Sequence, residues 1–263
     1  MQKILVTLFL SLLFFSCSEQ VYEYEEMVRQ ELKATNQTMT EVEIKKWAIY
    51  LSKWSEPNFY QSTIEEFKKV DLQNFPKKNS ILFVGSSSIR KWPTARYFGK
   101  FPIINRGFGG SHISDVNYYF NSIVAIYKPR IIVLYAGDND IASKKTPEQV
   151  LADYKDFVTL VHRDLPKTKL IYLPIKPSPS RWSMWKNMKQ ANSLIKMYID
   201  SDKTQYYSDT ATPMLDITGK PYSDLFVSDS LHLSEKGYDL WSKVLTSTLD
   251  SLTMLERPKI FGW

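Results

Sequence analysis

The feature that most constrains this chain is an alternation that sets in near residue 60. Short, almost wholly apolar stretches at 80–84, 102–105, 130–136 and 169–174, with a weaker fifth at 205–208, are separated by segments of helical periodicity at about 114–127, 147–165, 183–201 and 234–251. A strand buried on one face alternates apolar with polar residues. A continuous apolar run needs cover on both faces, the condition of a parallel sheet between layers of helices. The expected class is therefore α/β with a central parallel five-stranded sheet. In such sheets, sites form at the carboxyl ends of strands.

Four segments with chemical promise fall at those strand ends or in late loops: Gly85-Ser86-Ser87-Ser88-Ile89, Asn105-Arg106-Gly107-Phe108-Gly109-Gly110, Gly137-Asp138-Asn139-Asp140 and Asp229-Ser230-Leu231-His232. In the first, Gly85 permits a sharp strand-to-helix turn, so a hydroxyl just beyond it meets the free N–H groups and positive end of a helix. That position suits a nucleophile. Serines there serve equally as helix caps, and the choice is decided by the fourth segment. Asp229 lies three residues before His232, so one turn of chain can bring the acid to one imidazole nitrogen and leave the other to take a proton from serine. Of the three histidines, His112 and His162 lack such an acid three residues before them. The middle segments offer the electrophilic side: the backbone N–H of Gly110 and the side-chain amide of Asn139, joining the N–H of Ser87 around a tetrahedral oxyanion.

The order of these motifs resembles the SGNH hydrolases, also called GDSL esterases and lipases. Their Ser, Gly, Asn and His blocks match Ser87, Gly110, Asn139 and His232, with Asp229 three residues before the histidine, and the resemblance covers about residues 79–252. It implies a three-layer, flavodoxin-like fold. The stretch around Gly109-Gly110 is most similar to acylhydrolases of the platelet-activating-factor acetylhydrolase type. One departure stands out: the family's first block usually reads Gly-Asp-Ser, and here Ser86 replaces the acid. Ser86 and Ser88 are rivals to Ser87 on sequence alone. The ordinary α/β-hydrolase fold fits worse, since it wants a second glycine two residues after the serine and an acid distant from its histidine.

The implied reaction is two-step hydrolysis of a carboxylic ester. His232, oriented by Asp229, takes the proton of Ser87 as it attacks; Ser87, Gly110 and Asn139 hold the oxyanion; water then releases the acyl group. No metal or organic cofactor is required. Activity is expected to fall in acid solution as His232 takes up a proton. The lack of a long apolar tract in the mature chain leans the reading toward short acyl groups such as acetyl, on carbohydrate among other alcohols. Lysophospholipase and thioesterase activities of the same fold stay open. Two further classes compete. Asp138, Asp140, Asp229 and His232 would form an oxygen-rich site for a metal-dependent phosphoesterase. Trp92, Trp182 and Trp185 would serve a non-catalytic glycan binder, while Arg181, Trp182 and Trp185 also suit a substrate-binding loop beside the active site.

The chain has 263 residues, 43% of them hydrophobic, enough for one catalytic domain with an extension. Its net charge of +6 is scattered, which argues against nucleic acid as partner. Lys3, the apolar run 4–15 and Ser16-Cys17-Ser18 read as a secretory signal over 1–16. Leu13-Phe14-Phe15-Ser16-Cys17 resembles a bacterial lipoprotein signal, although Phe14 and Phe15 depart from its tighter form. It implies acylation of Cys17 and a lipid-anchored protein of the cell envelope. Cys17 is the sole cysteine, so no intramolecular disulfide can form. Residues 17–75 read as a tether and helical extension, with apolar positions Tyr24, Met27, Val28, Leu32, Val42, Ile44, Trp47, Ala48, Leu51 and Trp54. The catalytic domain is expected over 76–256 and a tail over 257–263.

Overall fold

The structure, a computed structural model, describes residues 17–35, 38–54 and 58–255. The expected signal over 1–16 and tail over 257–263 lie outside the described residues. The chain divides into two compact units between Ser62 and Thr63. In the first, helices α1 (Cys17–Thr35) and α2 (Glu41–Trp54) are joined by Arg29, whose guanidinium forks onto Glu41 at 2.6 and 2.7 Å. Ile44 and Ala48 are buried there, whereas Val42, grouped with them in the sequence, is exposed. None of the described helices is long and apolar enough to cross a membrane.

The second unit holds the sheet. Its strands are β1 (Ile81–Gly85), β2 (Ile103–Gly107), β3 (Ile131–Tyr135), β4 (Lys169–Tyr172) and β5 (Gln205–Tyr207), each within two residues of the apolar stretches in the sequence. All pair in parallel in the order β2-β1-β3-β4-β5. The chain thus moves outward from β1 to β2, then returns to the opposite side of β1 as β3. Loops leaving the carboxyl ends of β1 and β3 diverge, and the crevice between them is where open α/β sheets place ligands.

Side chains alternate across the sheet. On one face Phe83, Tyr135 and Ile171 belong to a buried cluster with Trp241, Leu245, Leu249 and Leu252 of the last helix, Glu235–Leu255. Residues of alternate register, including Leu82, Val84, Ile132 and Leu134, are fully buried on the other face. There Tyr172 meets Tyr154 of the helix Pro147–Asp164, ring centroids 5.1 Å apart. Each such large apolar side chain contributes about 1.5–3 kcal/mol of burial, so the two covered faces account for the unbroken apolar runs. The Pro147 helix starts where its sequence dictates, with Pro147 in the first turn and a reciprocal cap between Thr146 and Gln149.

One expected helix is broken. The segment 114–127 forms two short helices, Ile113–Tyr118 and Phe120–Ile123, and a 3-10 turn, Ala125–Tyr127. Tyr119 and Phe120 are both buried, as are Ile123 and Val124, and adjacent residues on one straight helix point about 100° apart. The axis breaks where the backbone leaves the helical region, at Tyr119 (φ −92°, ψ 10°) and Val124 (φ −128°, ψ −66°). The helix Gln61–Gln73 also contributes to the sheet unit. Its Asp71 accepts from Arg106 of β2 and from the Tyr127 hydroxyl, and Arg106 Nε donates to that hydroxyl at 2.7 Å, a buried ion pair that closes this edge of the sheet.

Candidate active site

Strand β1 ends on Gly85, whose φ of 133° lies in the region that favours glycine. A Cβ there would sit 1.8 Å from the carbonyl oxygen of Tyr135, so no other residue fits. The tight turn leads directly into the short helix Ser87–Arg90, with Ser86 as its N-cap residue. Ser87, the first helical residue, has no intrahelical acceptor for its N–H. The turn also separates the three neighbouring hydroxyls. Ser86 and Ser88 are buried, and their Oγ atoms find no hydrogen-bond partner among the described residues, whereas Ser87 is partly exposed.

The Ser87 Oγ lies 3.0 Å from Nε2 of His232, and Nδ1 of His232 lies 2.6 Å from Oδ2 of Asp229. The loop that presents the imidazole is held by the same acid. Asp229 Oδ1 accepts from the backbone N–H groups of Leu231 and His232 at 2.9 and 2.8 Å. Ser230, at a left-handed φ of 55°, lets the chain fold back over the carboxylate. Burial works to raise the Asp229 carboxyl, but the bonds from the imidazole and the two backbone N–H groups outweigh it and hold the group at about 2. A charged Asp229 keeps the proton of His232 on Nδ1, leaving Nε2 as an acceptor for the Ser87 hydroxyl.

The candidate electrophilic groups follow strands β2 and β3. Phe108 N donates to Gly85 O at 2.9 Å, binding the end of β2 to the serine turn. Gly110 follows with a φ of 86°. Asn139, in the one-turn helix Asp138–Ala142 after β3, is buried and donates through Nδ2 to the carbonyl of Ser111 at 3.1 Å. Asn139 is thereby fixed one residue from Gly110, so the two candidate donors and the Ser87 helix belong to one hydrogen-bonded framework.

Behind Asn139 lies a network that sequence reading did not assemble. Arg181 Nη2 donates to Asn139 Oδ1 at 3.0 Å, and Arg181 Nη1 lies 3.2 Å from Asp138 Oδ2. Lys176 Nζ reaches the same carboxylate oxygen at 2.9 Å and the Tyr135 hydroxyl at 3.1 Å, its side chain 1% exposed. Burial alone would raise the Asp138 carboxyl; Lys176 and Arg181 overcome it and bring the group down to about 2. Lys176 had one sequence signal, a lone cation in the apolar stretch from Leu170 to Pro177. Its partner was not readable there.

Arg181, expected among the substrate-binding residues, instead has both arms of its guanidinium turned inward. Trp182 and Trp185 of the same segment are half-buried, their rings stacked at 6.1 Å and 19°, with Lys220 Nζ 4.5 Å from the Trp182 centroid. Ser180 N donates to Ser230 O at 3.1 Å, which ties this segment to the His232 loop. Trp92 does not join them. It is 2% exposed, packs on Trp241 and Tyr238, and donates to Ser242 at 3.1 Å, so the glycan-contact role considered for it is excluded.

The carboxylates proposed as metal ligands turn to separate partners: Asp138 to Lys176 and Arg181, Asp140 to Lys145 at 3.0 Å, and Asp229 to His232. Among the described residues no cluster of three or more His, Cys, Asp and Glu is arranged to hold a metal. His112 Nε2 meets the Ser143 hydroxyl at 3.1 Å. His162 does have an acid partner, contrary to its sequence neighbourhood: Asp202 lies 3.2 Å away across 40 residues, with Thr204 at 3.0 Å.

Because the Ser86 hydroxyl is buried without a partner, Ser86→Ala removes an unsatisfied polar group and no hydrogen bond. The variant is expected to keep wild-type turnover and to melt at the same temperature or a few degrees higher, read by ester hydrolysis and thermal denaturation.

Comparisons with known proteins accord with this geometry. The sequence model of the GDSL-like lipase/acylhydrolase family matches residues 84–240. No curated protein matches the chain. Among solved structures, similar ones include a protein of Streptococcus pneumoniae provisionally described as a platelet activating factor, at 22% identity and TM-score 0.65 over 72% of this chain and 92% of that one. A GDSL-like lipase of Bacteroides thetaiotaomicron VPI-5482 gives 18% identity and TM-score 0.64 over 72% and 98%. The acetylxylan esterase Axe2 of Geobacillus stearothermophilus gives 15% and 0.53 over 65% and 93%. At these identities the likeness speaks to the fold: a parallel five-stranded sheet between layers of helices.

Proposed function

The chain belongs to the GDSL-like lipase/acylhydrolase family, and from that premise we propose that it is a serine esterase cleaving short acyl groups, acetyl above all, from carbohydrate esters. The observation that carries the reading is the unbroken chain from Ser87 Oγ to His232 Nε2 at 3.0 Å and from His232 Nδ1 to Asp229 at 2.6 Å. His232 removes the proton of Ser87 as the oxygen attacks the ester carbonyl. The N–H groups of Ser87 and Gly110 and the amide of Asn139 receive the developing oxyanion, and His232 returns its proton to the departing alcohol. Water, activated by the same imidazole, then frees the acid and the Ser87 hydroxyl.

The carbohydrate part of the reading is supported by the Trp182–Trp185 pair, beside the His232 loop, because flat aromatic faces suit the apolar faces of sugar rings. We further propose that the mature protein is anchored to the bacterial envelope through acylated Cys17, on the lipoprotein-like signal that precedes it. A panel of p-nitrophenyl esters of rising chain length, run beside acetylated xylan and a lysophospholipid, tests the substrate. Acetate release from xylan with little turnover beyond butyryl is the expected result. Preference for long-chain esters or lysophospholipid would replace it with a lipid substrate.

A further inference from the structure

We infer that Arg181 is a positioning residue for the oxyanion hole: it fixes the direction of the Asn139 amide and is itself aimed by the buried Lys176–Asp138 pair. The inference rests on the esterase reading above. An asparagine amide has two ends of opposite character, and only the NH2 end can meet an oxyanion. Here the two neighbours of Asn139 leave no choice. Arg181 Nη2, which can only donate, stands 3.0 Å from Oδ1; the Ser111 carbonyl, which can only accept, stands 3.1 Å from Nδ2. A flipped amide would set N–H against N–H and oxygen against oxygen. One hydrogen of Nδ2 goes to Ser111, and the second is the one an oxyanion can take.

Arg181 is in turn held from behind. Its other arm shares Asp138 Oδ2 with Lys176, and Lys176 reaches back to the Tyr135 hydroxyl at the end of β3. The arrangement carries rigidity from the sheet to the amide. The Arg181 side chain is only 16% exposed, with Nη2 bonded to Asn139 and Nη1 buried against the Asp138 carboxylate, which leaves it poorly placed to bind substrate.

Steady-state kinetics on p-nitrophenyl acetate, with wild type, Arg181→Met, Arg181→Lys, Asn139→Ala and the double variants, test the inference. Arg181→Met should lower kcat roughly 10- to 100-fold, the scale of a misplaced reacting group, with KM changed less than about twofold. Asn139→Ala should cost roughly 100- to 1000-fold. If Arg181 acts through Asn139, adding Arg181→Met to Asn139→Ala costs almost nothing more, and Arg181→Lys alone recovers part of kcat. Multiplied losses in the double variant, or a raised KM at unchanged kcat, would overturn the inference. Should Arg181→Met fail to fold by circular dichroism, the same cycle with Arg181→Lys, which keeps the charge beside Asp138, decides the matter. A wild type without activity on any ester in the panel would instead remove the esterase reading itself.

Discussion

Ser87→Ala is expected to abolish ester hydrolysis, lowering kcat by roughly a hundred thousand- to a millionfold while leaving the melting temperature near that of wild type. The size follows from the role. In the proposed mechanism the hydroxyl is the atom that forms the acyl-enzyme, and the neighbours are poorly placed to replace it: Ser86 and Ser88 are buried by the turn that exposes Ser87. The small effect on stability follows because the lost bond is to a partly exposed imidazole that stays anchored by Asp229. His232→Ala should cost about as much, and the double variant scarcely more than either, since hydroxyl and imidazole act as one unit. Hydrolysis rates of single and double variants, corrected for the uncatalysed reaction, check all three.

Asp229→Asn is expected to cost about 10,000-fold in kcat with the loop intact. Asparagine can still accept from the N–H groups of Leu231 and His232 through its oxygen, the bonds that hold the loop. Its NH2 group, however, then faces Nδ1 of His232. A donor there moves the imidazole proton to Nε2, the nitrogen that must accept from Ser87. Asp229→Ala should also lower the melting temperature, because it removes those two backbone bonds. In the wild type the acid, held at about 2, stays charged well below neutrality. Protonation of Asp229 should therefore not limit activity anywhere near neutrality.

The sheet was legible because its signal is local. Short apolar runs such as Ile81–Val84 and Ile131–Tyr135 read as strands covered on both faces, and the helical periodicity over 147–165 marks the helix Pro147–Asp164 within a residue. The Ser87–His232–Asp229 alignment could be anticipated for a similar reason: a three-residue spacing ties acid to imidazole, and Gly85 ties hydroxyl to strand end. What escaped depends on contacts distant in the chain. Arg181 reaches Asn139 across 42 residues and Lys176 reaches Asp138 across 38, and no periodicity encodes either pairing. Trp92 looked available for a ligand because tryptophan is common at both cores and surfaces. Only the packing of Trp241 and Tyr238 over it decides between them. The unbroken helix expected over 114–127 failed because the backbone leaves the helical region at Tyr119 and Val124, and the apolar periodicity marks neither break.

The central claim is that the Ser87 hydroxyl is an activated nucleophile. Its most direct test is to treat the protein with a fluorophosphonate, digest it, and locate the adduct by tandem mass spectrometry within the peptide that carries Ser86, Ser87 and Ser88. A single phosphonyl group on Ser87, formed in step with loss of esterase activity and absent in His232→Ala, is the predicted result. Modification of another residue, or an unlabelled protein that still hydrolyses esters, would contradict it.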